Sequence, residues 1–390
     1  MMSNIYKLYC MQALRWFLLF MPTFVLFFQD KGFSLAETLL LQAIFSIAIV
    51  VLEIPSGYFS DYFGRKKTLV IGSIFGTLGY LCYAYSFEFW HFIVAETLLG
   101  LGASFISGTD SALLYDTLKE LNKTKAYKKY EGFMQSISSF SEGFAAIAGG
   151  FIALISLSAP FFVQTGLLFL TVLIALSIKN PTTQTRKDQH DNPIKDLLKI
   201  VKFTLHDHKE IRSLILYSGI IGGSTLTLVF LIQPFLQEIN IPLALFGILW
   251  AAFNFSIGIF ALTTNRIEEY FGKTKSVALL ILLVAIGYFG LGYFNSYFAI
   301  GLIFIFYFIR AVSGTIIKDY INQLIDSDIR ATVLSVKNLS SRMVFAIMSP
   351  FIGHMADIYS LSVAFYMAGT FFTLFGLITL ASLLKYDSAN

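Results

Sequence analysis

Charged residues are scarce in this chain. Only 13% of its 390 residues are Asp, Glu, Lys or Arg, whereas a soluble globular domain carries about 25%. Because so few charges cannot cover a water-facing surface, most of the surroundings must be lipid. The 56% hydrophobic content, with 41 Phe and 20 Tyr, suits lipid-facing and interfacial positions. The composition therefore predicts a membrane protein.

Other absences exclude further classes. The two cysteines, Cys10 and Cys82, lie in separate apolar stretches, so we expect buried packing residues rather than a disulfide or a metal pair. There is no phosphate-binding Walker loop, which argues against an ATP-driven pump. The formal net charge is only +4 and no basic stripe is present, so nucleic acid is not an expected partner. We expect no enzymatic activity, no cofactor and no metal site.

Long apolar stretches dominate the sequence. A membrane helix needs about 20 mostly apolar residues. Twelve stretches meet that length: 5–29, 34–59, 68–87, 89–117, 129–156, 160–178, 211–237, 243–264, 276–294, 297–320, 331–357 and 360–384. The sequence therefore predicts an all-α membrane protein with twelve transmembrane helices.

The basic residues lie on one side of these spans. The loops after the even-numbered spans carry Lys and Arg, whereas the loops on the opposite side carry only Lys31. Positive charge marks the cytoplasmic side. We therefore expect a multi-pass protein of the bacterial inner membrane, with both termini cytoplasmic and contacts to lipid. We expect it to be a monomer.

One polar segment divides the spans into six and six. It suggests a bundle over 1–180, a cytoplasmic linker over 181–210 and a second bundle over 211–390. In the linker, Asn192 can cap a helix that begins at Pro193. One face of that helix is apolar and the opposite face is basic; the apolar residues are Ile194, Leu197, Leu198, Val201 and Leu205. This pattern predicts an amphipathic helix on the inner membrane surface, with partner docking as the alternative.

The two halves share local sequence. "DYFGR" at 61–65 and "EYFGK" at 269–273 lie 208 residues apart, and Gly79-Tyr80 matches Gly287-Tyr288 at the same offset. "SGT" at 107–109 matches "SGT" at 313–315 at an offset of 206. These matches indicate two homologous six-span halves in parallel orientation. Parallel repeats of this kind are a transporter architecture.

The loop after the second span resembles a family signature. "GYFSDYFGRKK" at 57–67 resembles the Gly-x-x-x-Asp-x-x-Gly-Arg-Lys/Arg-Lys/Arg motif of the major facilitator superfamily. The resemblance implies two pseudo-symmetric six-helix bundles. It also implies that the aspartate caps a helix end across the seam between the halves, while the arginine reaches an acid at the base of the fourth span. The matching gating candidates are Gly57, Asp61, Gly64, Arg65 and Asp116.

The chain departs from that family's pattern in two places. Glu96-Thr-Leu-Leu-Gly100 stands where the fourth span often has Arg-x-x-x-Gly, and the fifth span lacks the proline of the antiporter motif Gly-Pro-x-x-Gly-Gly. These departures argue against a simple assignment as a drug antiporter. Gly100, Gly102 and Gly108 are predicted to be close-packing positions.

Four charged residues lie near the middles of their spans, namely Arg15, Glu142, Arg310 and Arg342. A charge at bilayer depth is costly and usually faces a cavity or a partner. The resemblance places all four on cavity-lining or flanking helices. Arginine grips carboxylate or phosphate through a planar fork, so the arginines favour an anionic substrate. With the polar residues on the same helix faces, the predicted substrate-binding set is Gln12, Arg15, Tyr307, Arg310, Asn338 and Arg342.

Glu142 is the predicted proton-coupling acid. Burial favours its neutral form, whereas a nearby arginine favours its ionised form, and a coupling site needs both influences. Asp110 and Glu53 lie nearer the cytoplasm and are the next candidates. The alternative is that Glu142 pairs permanently with an arginine for structural reasons.

The leading hypothesis is a proton-coupled secondary transporter of a small organic anion, either a carboxylate-bearing metabolite or a chelator such as a siderophore. The alternative is a proton-driven efflux antiporter for lipophilic drugs. A receptor or scaffold without transport activity is disfavoured, because it needs neither paired loop signatures nor charges at the membrane midplane.

Overall fold

The computed structural model describes residues 1–181, 208–325 and 327–387, together with residues 202, 204 and 206. Within these residues the regular structure is helical and no β-strand occurs, which confirms the all-α class. The helices, numbered here in chain order, are α1 (Met2–Trp16), α2 (Phe24–Asp30), α3 (Leu35–Phe63), α4 (Arg65–Tyr85), α5 (Phe89–Ile106), α6 (Thr109–Glu120), α7 (Tyr127–Ala153), α8 (Ala159–Ser177), α9 (Lys209–Glu238), α10 (Leu243–Ala261), α11 (Thr264–Tyr293), α12 (Ile300–Leu324), α13 (Ser327–Ile358) and α14 (Leu361–Asp387).

Each of the twelve predicted spans falls on one helix or on two consecutive helices. In the described part of the chain, ten helical segments are long and apolar enough to cross a membrane. Helices α7 and α13, which hold the fifth and eleventh predicted spans, are not among the ten, because polar and charged side chains lower their hydropathy. The predicted amphipathic helix of the linker lies outside the described residues.

The chain forms two compact units. As far as their residues are described, the first comprises Met1–Phe33, Ile44–Asp191 and Pro242–Ala252, and the second comprises Ser34–Ala43, Asn192–Ile241 and Phe253–Asn390. In the first unit, buried side chains of α1, α4, α6, α7 and α8 form one apolar cluster that includes Leu8, Leu69 and Met134. In the second unit, the buried Tyr217 and Tyr288 hydroxyls of α9 and α11 donate to backbone carbonyl oxygens at 2.7 and 2.6 Å.

The repeated loop signature produces the same backbone feature twice. Gly64 has a φ of +100° and Gly272 has a φ of +73°. A positive φ of this kind is costly for a residue with a Cβ and free for glycine. Gly64 ends α3 and begins α4, and Gly272 interrupts the helical backbone within α11. The glycine of each signature is therefore required by the turn.

Two predicted spans are broken, although each was predicted to be one continuous helix. The first span ends its initial helix at Trp16 and resumes as a helix only at the 3₁₀ turn Met21–Thr23. The fourth span breaks at Ser107–Gly108, where Gly108 has a φ of +74°. The matching Ser-Gly-Thr of the second half lies inside the continuous helix α12. The break is thus specific to the first half.

The close-packing prediction is correct for two of its three glycines and wrong for the third. A Cβ added to Gly100 would lie 2.5 Å from Ala48 Cβ, and one added to Gly102 would lie 2.8 Å from the Gly76 nitrogen. Gly108 has nothing within 4 Å of that position, so its role is conformational.

The two cysteines are less buried than the sequence analysis predicted. Both thiols are free, but Cys10 is exposed and Cys82 is only half-buried. The prediction of burial is therefore wrong for Cys10. An apolar stretch of a membrane protein places many of its residues on the outside of the helix bundle, because lipid accepts apolar side chains as readily as a protein core does.

Candidate functional site

Three of the gating candidates, Asp61, Arg65 and Asp116, lie together in the first unit. Arg65 Nη1 is 2.5 Å from Asp61 Oδ1, and Arg65 Nε is 3.6 Å from Asp116 Oδ2. The same Nη1 donates to Ser60 Oγ at 2.9 Å, and Ser60 Oγ accepts a hydrogen bond from Thr109 Oγ1 at 3.1 Å. The pairs differ in exposure, because the Asp61 side chain is 45% exposed and that of Asp116 only 10%. Arg65 therefore joins a solvated carboxylate to a buried one.

Gly57, the remaining gating candidate, is an exposed residue inside α3. No atom lies within 4 Å of the position that a Cβ would occupy there. A side chain at this position would therefore meet open space. Gly57 therefore leaves open space on the surface of α3 and makes no side-chain contact.

An ion pair lies at the two helix breaks of the first unit. Arg15 Nη1 is 3.2 Å from Asp110 Oδ2, and the two side chains are 18% and 15% exposed. Arg15 is in the last turn of α1 and Asp110 is in the first turn of α6. A helix C-terminus favours a cation and an N-terminus favours an anion, so both charges are placed where the helix dipoles stabilise them. Discontinuous helices of this type form the binding sites of many transporters.

The pair extends toward α7 through two further hydrogen bonds. Arg15 Nη1 also donates to Gln12 Oε1 at 3.4 Å, and Gln12 Nε2 donates to Ser138 Oγ at 2.8 Å. Gln12 and Ser138 are both buried. The sequence placed Gln12 and Arg15 on one helix face; their link to α7 is a tertiary contact.

A second acid, Glu131, joins the pair through Ser111, and it is not among the residues predicted from the sequence. The Ser111 backbone N–H donates to Asp110 Oδ1 at 2.8 Å, and Ser111 Oγ donates to Glu131 Oε1 at 2.7 Å. One signal was available: Glu131 lies at helical spacing from Ser138 and Glu142 along α7, on the same stripe.

The other proton-coupling candidates lie elsewhere in the first unit. Glu142 and Glu53 are both half-buried, on α7 and α3. Both carry interactions with their surroundings, so neither is an isolated charge. Of the three candidates, Asp110 is the one that the structure shows in contact with Arg15.

A further acid occupies the aromatic core of the first unit. Glu96 is 1% exposed, and the Tyr83 hydroxyl donates to its Oε1. The Tyr83 ring stacks on Phe161 with centroids 5.1 Å apart, and Phe92 contacts its edge. The glutamate that replaces the family's arginine is thus held by a tyrosine within packed rings.

The second unit carries the remaining substrate-binding candidates. Arg310, at the middle of α12, is exposed, and no salt bridge to it is found among the residues that the structure describes. Tyr307, one turn earlier, is buried and its ring stacks on Phe253 at 5.3 Å between centroids. On α13, Asn338 is exposed and Arg342 is half-buried and engaged in an interaction. The described residues contain no His, Cys, Asp and Glu group suited to a metal ion.

A helical chain with many membrane-crossing segments, two broken spans and a charged pair at the breaks belongs to the class of multi-pass membrane transport proteins. A family model described as the Major Facilitator Superfamily matches residues 8–336. The chain belongs to the Major Facilitator Superfamily. Its resemblance to that family in sequence is thereby confirmed, and the fold is that of transporters rather than enzymes.

Relatives and solved structures agree with this assignment. The MFS-type transporter YxaM of Bacillus subtilis is 24% identical over 268 residues, 67% of this chain and 65% of that protein. Multidrug resistance protein 2 of the same organism is 28% identical over 188 residues, 45% of this chain and 44% of that protein. The match thus spans less than two thirds of either relative. The crystal structure of the nucleoside transporter NupG covers 97% of this chain and 98% of its own, with a TM-score of 0.83 at 14% identity, and shows the fold alone.

Proposed function

We propose that this member of the superfamily is a proton-coupled secondary transporter of a small organic anion, a carboxylate-bearing metabolite or a chelator such as a siderophore. It works by alternating access in the bacterial inner membrane, as a monomer with both termini in the cytoplasm. The coupling acids are Asp110, Glu142 and Glu53.

The observation that carries this proposal is Arg310. Its guanidinium lies midway along an apolar helix and is exposed, and no described carboxylate pairs with it. Arginine stays charged in proteins, and an ionised group at membrane depth marks a substrate or ion pathway. A carboxylate supplied by a substrate satisfies that charge through two parallel hydrogen bonds.

The Arg15–Asp110 pair supports coupling to protons. A substrate carboxylate that engages Arg15 competes with Asp110 for the guanidinium. A carboxylate that loses a cationic partner binds a proton more readily, because a nearby positive charge is what favours the ionised form. Substrate and proton then occupy the site together.

The second candidate function is efflux of lipophilic drugs. It is favoured by the similarity to Multidrug resistance protein 2, whose name describes resistance to several drugs. Against it stand the missing fifth-span proline and the exposed arginine on α12.

The test uses purified protein in proteoliposomes, with radiolabelled citrate and succinate as anionic probes and tetraphenylphosphonium as the lipophilic cation. We expect a pH gradient to drive movement of a carboxylate probe. Arg310→Gln should weaken its binding about tenfold or more, since a charged hydrogen bond contributes about 1.5–3 kcal/mol. Arg266→Gln, which changes an exposed arginine in the first turn of α11, is the matched control. Transport of tetraphenylphosphonium alone, unchanged in Arg310→Gln, would favour drug efflux instead.

A further inference from the structure

We propose that Asp357 is a gating residue, whose carboxylate clasps the first turn of α3 in this conformation and releases it when the transporter opens at that end. This inference rests on the alternating access of the proposed function. It assigns a role to an acid outside the predicted gating set.

Asp357 caps a helix that is distant in the sequence. It lies in the last turn of α13, where its Oδ1 accepts the Leu35 N–H at 3.0 Å and its Oδ2 accepts the Ala36 N–H at 2.8 Å. The first N–H groups of an α-helix have no partner within that helix, and the positive end of the helix dipole favours an anion. Both oxygens of one carboxylate therefore hold the start of α3 against the end of α13.

α3 also has a local cap that does not depend on α13. Ser34 Oγ accepts the Glu37 N–H at 3.2 Å, and Glu37 Oε2 accepts the Ser34 N–H at 2.8 Å. This reciprocal pair is a capping box, which marks where a helix begins. The first turn of α3 can therefore remain helical when Asp357 withdraws. The contact with α13 is thus separable from the folding of α3 itself.

A glycine brings the two helices close enough for this contact. Gly353 lies one turn before Asp357 on α13. A Cβ added to Gly353 would lie 2.9 Å from the Ala36 nitrogen and Cα and 2.9 Å from Leu39 Cδ1. Because no side chain separates the helices there, the carboxylate reaches the backbone N–H groups directly. Gly353 is therefore a positioning residue for the clasp.

α3 takes part in both compact units. Its residues up to Ala43 belong to the second unit together with α13, whereas its residues from Ile44 onward belong to the first. Movement of one half of a transporter against the other must therefore either bend α3 or detach its first turn from α13. Detachment breaks the two hydrogen bonds to Asp357.

The clasp can open at small cost because Asp357 is exposed. Water can replace the two N–H donors once the helices separate. Exchange of a hydrogen bond within the protein for hydrogen bonds to water changes the free energy little, whereas a buried acceptor left without a donor is costly. An exposed carboxylate therefore suits a contact that breaks and reforms in each cycle. The predicted topology places this end of α3 outside, opposite to the Asp61–Arg65 pair.

A distance measurement without substrate tests the clasp. Spin labels are placed at Leu40→Cys on α3 and at Tyr359→Cys just after α13, two exposed positions of the second unit. Cys10→Ser and Cys82→Ser first remove the native thiols. Double electron–electron resonance is recorded on the purified full chain in lipid nanodiscs. We expect Asp357→Ala to enrich a discrete longer-distance population about 2- to 30-fold, the change in an equilibrium constant that loss of an N-cap side chain produces.

Two further variants and a control make the test specific. Asp357→Asn keeps one carbonyl acceptor and should give a smaller enrichment, which keeps the test valid if the Ala variant folds poorly. Gly353→Ala should enrich the same population by separating the helices. Glu88 is the exposed N-cap residue of α5 and its side chain does not cap that helix, so Glu88→Gln should leave the distribution unchanged. An unchanged distribution in Asp357→Ala, or a single broadened one, would overturn the proposal, because the carboxylate would then be only a structural cap.

Transport supplies the second readout, with labelled citrate as the probe. Asp357→Ala should lower the rate of citrate transport in proteoliposomes, because it changes the balance between the clasped and released states. Glu88→Gln should keep the wild-type rate. A wild-type rate in Asp357→Ala contradicts the inference. If the wild type moves no carboxylate, the proposed function fails, and the distance measurement alone still decides whether Asp357 holds a switchable contact.

Discussion

The ion pair between Arg15 and Asp110 allows a quantitative prediction. The perturbation is a double-mutant cycle of Arg15→Gln and Asp110→Asn, which removes each charge while keeping much of the shape. Either single variant leaves one charge without its partner in a largely buried site, since the side chains are 18% and 15% exposed. The double variant leaves neither charge.

The expected magnitude follows from the distance. Two unit charges 3.2 Å apart attract by about 5 kcal/mol at an effective dielectric constant of 20. Desolvation of both groups offsets much of that attraction. Each single variant should therefore lower the free energy of unfolding by about 2–4 kcal/mol. The double variant should lose clearly less than the sum, with a coupling energy of about 1–3 kcal/mol.

The assay is equilibrium unfolding of the purified protein in detergent micelles. The control cycle is Arg65→Gln with Asp61→Asn, because that pair has the same ion types but Asp61 is 45% exposed. A pair exposed in this way should show a coupling energy of about 0.2–1 kcal/mol. Additive losses at Arg15 and Asp110 would refute the argument, since they would mean that the two charges do not stabilise one another in the folded chain.

Three further predictions concern single positions. Gly108→Ala should destabilise the fold by about 1–2 kcal/mol, because Gly108 has a positive φ. Gly314 lies in a continuous helix with open space around it, so Gly314→Ala should be neutral or stabilising by up to about 1 kcal/mol. Chemical denaturation of both variants tests the difference. Gly102→Ala should lower the free energy of unfolding by about 1–3 kcal/mol through overpacking. Gly166→Ala should not lower it, because the added Cβ meets no atom within 4 Å. An equal change in melting temperature in the two variants would contradict the role of Gly102 in close packing. Asp61→Asn should lower the transport rate in proteoliposomes, because Arg65 loses its nearest negative charge. Expression and ligand binding should stay nearly intact. Wild-type transport rates in that variant would exclude a gating role.

The amino-acid sequence was sufficient to identify a helical membrane protein. Low charge and long apolar stretches require a lipid environment and a helical backbone, because only helices of that length satisfy their own hydrogen bonds there. The repeated acid-Tyr-Phe-Gly-base signature was sufficient to place a turn in each half, and both glycines have a positive φ. The candidate arginines could be found because a charged residue inside an apolar stretch can be recognised from the sequence alone.

The positions of the helix breaks and the pairing of the charges depend on tertiary packing. Ser-Gly-Thr occurs at 107–109 and again at 313–315, yet the first copy interrupts a helix and the second continues one. Glycine permits both conformations at small cost, so packing against neighbouring helices selects between them. Arg15 pairs with Asp110, which is 95 residues away. Glu131 joins that pair through Ser111 because α6 and α7 pack side by side. No local pattern encodes such partners, since each depends on how helices from distant parts of the chain are brought together.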